Sequence, residues 1–156
     1  MEQKKFKEPK FKPKPGQADY RNIRWTPVVN SIVKYKGKIL LVWRNENLHF
    51  YPECWNGISG FLDDAKSLEE KVYEELREEL SVPRNKVKTI VRGAPFDQEE
   101  PKYKKTWVVH PVMVTITTDK IKLDWEAKKY IWTTPKEVKR LKLLPGFDRV
   151  FKTFFK

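Results

Sequence analysis

Residues 60–82 read GFLDDAKSLEEKVYEELREELSV, and the second half of that stretch has the spacing of a helix. Ser67 and Glu70 stand at capping-box distance, where each side chain can satisfy an orphan backbone donor. Leu68, Val72, Leu76 and Leu80 recur every fourth residue and predict one apolar stripe, which Pro83 stops. Glu75, Glu78 and Glu79 stand at i, i+3 and i+4, so they share an arc of about 100° beside that stripe. Carboxylates at the margin of a core repel one another unless a cation compensates them. Mg²⁺ or Mn²⁺ suits such hard oxygen donors and keeps positions for phosphate and water. A solvated helix laced with ion pairs, using Glu74, Arg77 and Lys71, explains the same acids and is the simpler reading of the helix alone.

Working outward, residues 28–35 and 39–43 are rich in β-branched and apolar side chains and flank Lys36-Gly37-Lys38, a turn signal. They predict a β-hairpin near the start of the domain. Residues 45–56 and 57–64 read as two loops. After the helix, residues 88–92 and 106–117 read as strands, the second interrupted by Pro111 and therefore placed at an edge or a bulge. A short strand is expected at 130–133, then a helix opening at Thr134-Pro135, and a last helix after Pro145-Gly146 carrying Val150, Phe151, Phe154 and Phe155. The order predicts an α/β (α+β) domain with a mixed sheet.

The 156-residue chain fits one such domain, and 39% hydrophobic with 13% aromatic residues argues against wholesale disorder. Its formal net charge is +12. Residues 1–16 hold six lysines against Glu2 and Glu8, so the rest of the chain is basic too. Residues 1–20 read as a flexible Lys/Pro-rich tail, and 21–156 as the domain. A basic field attracts polyanions, which makes nucleotides and RNA candidate partners. Cys54 is the only cysteine, and His49 and His110 are far apart, so neither an internal disulfide nor a Cys/His zinc pattern is available. The absence of a signal-like or membrane-length apolar run leads to the expectation of a cytoplasmic protein without membrane contact. Oligomeric state is not legible.

The stretch from Gly60 to Val82 resembles the Nudix box, G-x5-E-x7-R-E-U-x-E-E-x-G-U, through Gly60, Glu75, Leu76, Glu78, Glu79 and Val82. It departs from it at Lys66 (Glu in the pattern), Glu74 (Arg) and Ser81 (Gly), with Ser59 in place of the usual preceding glycine. The early strand ending at Arg44 and the late Trp125-Glu126 and Trp132-Thr133-Thr134-Pro135 segments fit the same family in order. The resemblance implies a Nudix-like α/β/α sandwich that hydrolyses a pyrophosphate bond in a nucleoside diphosphate derivative, a nucleotide or an RNA 5′ end. Its implied cofactor is Mg²⁺ or Mn²⁺.

Carried over by position, Glu75, Glu78 and Glu79 would be metal ligands, with the Ser59 carbonyl contributing. Glu75 or Glu126 would orient or deprotonate water, Glu126 otherwise serving as a further ligand. Glu99 and Glu100 are weaker acidic candidates in an expected loop. Arg44 would meet a substrate phosphate and Tyr51 would be an exposed substrate contact, whereas Trp43 reads as core. Lys66 and Glu74 exchange the signs of two positions that ordinarily pair, which predicts a reversed ion pair. The departures also admit a second reading, a catalytically inactive Nudix-like module that binds nucleotide or RNA.

Overall fold

A computed structural model describes residues 8–156. Residues 1–7 of the expected tail lie outside that range. The predicted hairpin is present: β1 (Trp25–Tyr35) pairs antiparallel with β2 (Lys38–Arg44). Lys36 and Gly37 both have positive φ, the geometry of the tight turn that suits the twist of two strands.

β1 also runs parallel to β7 (Lys105–Ile116), in register from Trp25↔Thr106 to Lys34↔Thr115. Along β1, Val29 and Val33 enter one core, whereas Val28 and Ile32 enter the other. The period of two is that of a strand buried on both faces. The first core lies beneath α1 (Leu68–Leu80) and contains Val72, Leu76 and Leu80. The second lies beneath α2 (Pro135–Val138) and α3 (Phe147–Phe154) and contains Val138, Phe147, Val150 and Phe151. The expected α/β/α sandwich is therefore present. Among the described residues no helix is long and apolar enough to cross a membrane.

Several local expectations need correction. The segment 57–64 is not all loop: β4 (Ile58–Phe61) pairs with the first half of β1, after a two-residue strand β3 (Trp55–Asn56) on β2. Ser59 and Gly60 carry no β signal of their own, so the pairing is imposed by β1. β5 (Val87–Arg92) and β6 (Phe96–Glu100) both pair with β7, one with each half. Glu99 and Glu100 therefore lie on a strand. Pro111 is not at an edge but in the middle of the sheet, opposite the break between β5 and β6, where its carbonyl accepts from the Gly93 amide at 2.9 Å. A missing N–H is tolerated there because the neighbouring strand changes at that point. β8 (Ala127–Thr133) is longer than expected and pairs with β2. Thr134 precedes α2 without capping it.

Both ends of α1 are specified locally. Ser67 Oγ accepts from the Glu70 amide at 3.2 Å, but the Glu70 carboxylate pairs with Arg84 instead of completing the box. At the other end Ser81 takes a left-handed conformation, φ 56° and ψ 33°, with its amide on the Arg77 carbonyl at 3.1 Å. The Val82 amide reaches the Leu76 carbonyl at 3.1 Å, which closes the helix in the manner usual for glycine. A β-carbon is strained in that conformation. Ser81→Gly is therefore expected to stabilise the fold by about 0.5–1 kcal/mol, seen as a higher urea midpoint at an unchanged slope.

Candidate active site

A cavity of about 430 Å³ lies along the pairing of β4 with β1. One side is acidic, with Glu74, Glu75 and Glu78 of α1 and Glu126 ahead of β8. The other is aromatic, with Phe50, Tyr51, Phe61 and Trp107 packed edge to face or tilted at centroid distances of 5.2–6.4 Å. The two walls thus differ in chemistry, one carrying carboxylates and the other flat apolar rings.

Helical spacing grades the three predicted acids by depth: Glu79 is buried, Glu75 half-buried and Glu78 exposed. Glu126 is brought to them through the chain ahead of it. The Lys122 amide bonds to the Leu80 carbonyl at 3.0 Å and the Asp124 amide to the Glu79 carbonyl at 3.3 Å, so this segment closes the C-terminal end of α1. Asp124 Oδ1 then accepts from the Glu126 amide at 3.0 Å. A hollow of about 10 Å³ remains among Glu79, Asp124 and Glu126. Gly60 lies close against Glu75: a β-carbon there would stand 2.3 Å from Glu75 Oε1, so the carboxylate would have to shift.

The electrostatics follow from this crowding. Burial, and then the charges of Glu126 and Glu78, push Glu75 up to about 8. Burial followed by the adjacent Glu126 carboxyl holds Glu79 well above the ordinary glutamate range. Burial lifts Asp124 to about 6. Glu79 Oε2 is buried without a hydrogen-bond partner. An orphaned oxygen among mutually repelling acids is a donor set that fits a hard divalent cation. Among the described residues, however, no three His, Cys, Asp or Glu side chains stand together as a closed ligand cluster. Glu75, Glu78, Glu79 and Glu126 are thus gathered at one place, but as an open set.

The other predicted site residues have settings of their own. Arg44 lines the cavity, yet its guanidinium is committed to the Tyr51 carbonyl at 2.9 Å and the Phe50 carbonyl at 2.8 Å. It holds the aromatic loop in place. Tyr51 lines the cavity but is half-buried rather than exposed, and its hydroxyl accepts from Trp107 Nε1 at 2.8 Å. Trp43 is not in either core: it packs edge-on against Trp55 at 5.2 Å, under the Lys129 ammonium at 5.1 Å. Ser59 lines the cavity, and its hydroxyl accepts from Asn56 at 3.2 Å. Glu99 and Glu100 do not reach the cavity, whereas their neighbour Gln98 does.

The reversed pair is present, with Lys66 Nζ 2.5 Å from Glu74 Oε2. A second lysine supports it. Lys71 Nζ is buried and meets Asp64 at 3.1 Å, Asp63 at 3.3 Å and Glu74 at 3.9 Å. Burial alone would lower the pKa of Lys71, but these carboxylates raise it above the ordinary lysine value. The ion-pair reading of the helix named Lys71 as such a partner, and Lys71, Glu75 and Glu78 lie at i, i+4 and i+7 on one helix face.

A family model for the NUDIX domain matches residues 24–154. The chain belongs to the Nudix hydrolase family. No individually curated protein matches it. Among solved structures it is similar to a MutT protein from Methanosarcina mazei Go1, with 21% identity, TM-score 0.65, and 84% of this chain and 93% of that one covered. An Ap4A hydrolase from C. elegans gives 15%, 0.68, 83% and 94%. The NUDIX domain of Shewanella oneidensis NrtR, complexed with ADP ribose, gives 17%, 0.69, 92% and 90%. At these identities the likeness is one of fold.

Two outcomes follow from the charges. Acids whose pKa is raised by folding make the folded state bind protons more tightly than the unfolded chain, so their contribution is complete below about 4.5 and lost as pH rises through about 8. In EDTA, stability is expected to fall between pH 5 and 8.5, and Glu75→Gln to flatten that slope in urea titrations at several pH values. Lys66→Glu is expected to lower the urea midpoint by placing a carboxylate beside Glu74, with Lys66→Glu/Glu74→Lys recovering most of the loss.

Proposed function

We propose that this Nudix protein hydrolyses a phosphoanhydride bond in a nucleoside diphosphate derivative, and that a divalent cation, Mg²⁺ or Mn²⁺, is needed. The observation that carries this reading is the placement of Glu75, Glu78 and Glu126 in one cavity with the aromatic wall of Phe50, Tyr51, Phe61 and Trp107. Glu78 and Glu79, with the Ser59 carbonyl, are the proposed ligands. Glu75 and Glu126 complete the set or manage the attacking water. When bound, such a cation would polarise a phosphoryl oxygen and lower the pKa of bound water.

The residues of the chain supply the rest. Water adds to one phosphorus, the bridging P–O bond breaks, and the water's proton passes to the carboxylate of Glu75 or Glu126. The aromatic wall gives the base a surface for stacking. Lys71 and Lys66 hold Asp63, Asp64 and Glu74, which fixes the start of α1 under the site. The ADP ribose complexed with the NrtR domain and the Ap4A of the C. elegans hydrolase are two compounds of the proposed class. The basic chain also suits a 5′-phosphorylated RNA end.

One observation favours a second reading, a module that binds without cleaving. Lys66 stands where the family pattern has a glutamate, and it is engaged with Glu74, so the site lacks that carboxylate. ADP ribose, Ap4A, nucleoside triphosphates and 5′-triphosphorylated RNA, each incubated with Mg²⁺ or Mn²⁺, separate the two. For the enzyme, product is expected with at least one substrate, to disappear in EDTA, and to fall at least 100-fold in Glu78→Gln and Glu79→Gln. Binding of the same compounds without turnover would establish the second reading.

A further inference from the structure

Residues 8–18, EPKFKPKPGQA, carry three lysines among prolines, a composition that by itself predicts a solvated arm. In the fold the arm is tied at both ends. The Glu8 carboxylate accepts from the His49 amide at 2.8 Å. At the far end Gln17 Nε2 donates to Asp63 Oδ2 at 2.9 Å, and the Ala18 amide donates to the Asp63 carbonyl at 2.6 Å. Between them Lys14–Gln17 closes a β-turn, with the Gln17 amide on the Lys14 carbonyl at 2.9 Å. Pro15 and Gly16, whose φ is 82°, are the residues a type II turn requires at its two central positions. The Lys14 amide in turn donates to Gln17 Oε1 at 3.1 Å.

Both anchors belong to the site. Asp63 also accepts from Lys71, so one carboxylate joins the arm to α1, and His49 directly precedes Phe50 and Tyr51. Glu8, Phe11, Lys14 and Gln17 line the same cavity as Glu75 and Glu78. Among the described residues, three lysines or arginines line that cavity: Lys14, Arg44 and Lys71. Arg44 is engaged by two carbonyls and Lys71 by carboxylates. Among the described residues, the Lys14 ammonium has no hydrogen-bond or ion-pair partner. A cavity meant for a polyphosphate, with acids along one side, needs a cation free to meet the anion, and the arm supplies it.

We infer that residues 8–18 are a wall of the substrate site and that Lys14 binds an anionic oxygen of the substrate there. The inference rests on the diphosphate reading and assigns that site a contact from outside the Nudix box and outside residues 24–154, which the family model spans. Lys14 is a binding residue that touches substrate, and Gln17 with Pro15-Gly16 positions it.

The test measures the affinity of ADP in Mg²⁺ by calorimetry for the full chain, Lys14→Ala, Lys14→Arg, Lys12→Ala and a form lacking residues 1–16. Lys14→Ala and the truncated form are expected to bind about tenfold more weakly, Lys14→Arg to stay within about threefold, and Lys12→Ala, whose side chain does not line the cavity, to be unchanged. With a cleaved substrate, the same changes are expected in KM with kcat within twofold. Unchanged or tighter binding in Lys14→Ala, or equal weakening in Lys12→Ala, overturns the assignment. Failure of the full chain to bind or cleave any nucleotide counts against the diphosphate reading instead. Hydrogen exchange then decides the arm alone: protected amides at His49 and Ala18, with His49 losing protection on truncation, uphold it as a wall, and free exchange at both overturns it.

Discussion

The parallel pairing of β1 with β7 is the constraint on which the rest of the molecule depends. Both strands are buried on both faces, so a shift of one residue would exchange the core under α1 for the core under α2 and α3. β1 cannot keep one antiparallel neighbour along its length: β4 takes its first half and β2 its second. The cavity lies along the β4 half, with Val28 and Asn30 of β1, their partners Ser59 to Phe61 of β4, and Trp107 and Val109 of β7 on its walls. The position of the site is therefore a property of the sheet, and the carboxylates are brought to it by the packing of α1 on one face.

That packing sets a conflict which the charged residues resolve in part. The apolar stripe draws α1 inward, and Glu75 and Glu79, beside the stripe, are carried toward the interior with it. Their charged forms are then disfavoured by lost hydration and by Glu126. At the start of the helix the same conflict is settled within the protein, because Lys71 and Lys66 meet Asp63, Asp64 and Glu74. At its end no lysine or arginine among the described residues plays that part, and Glu79 Oε2 is left without a partner. The difference between the two ends separates a structural ion network from the proposed metal site. The exchange of Lys66 and Glu74 keeps the structural pairing with the signs reversed.

The helix, its cap at Ser67, the hairpin turn at Lys36-Gly37 and the last helix after Gly146 were readable because each rests on local chemistry: side-chain period, a capping oxygen or positive φ. β4 and β6 were not. Ser59 and Gly60 have no strand propensity, and Phe96–Glu100 is largely acidic, so their pairing comes from the long partners β1 and β7. Pro111 was misplaced for the related reason that a broken neighbour can lie beside a central strand as well as an edge. Tyr51 and Trp43 both end half-buried, because aromatic side chains fit a core and a rim equally well by composition.

The sequence by itself determined which residues could hold a cation, since the spacing of Glu75, Glu78 and Glu79 beside an apolar stripe follows from helical geometry alone. It also carried the family resemblance through Gly60 and the residues around those acids. Only the tertiary structure decided that Asp124 stands with Glu126 beside them, that Arg44 bonds two backbone carbonyls, and that a basic arm lines the cavity. The Arg44 contacts span a short loop, and the others join segments far apart in the chain. Their partners are chosen by the sheet, and no local period or composition encodes them.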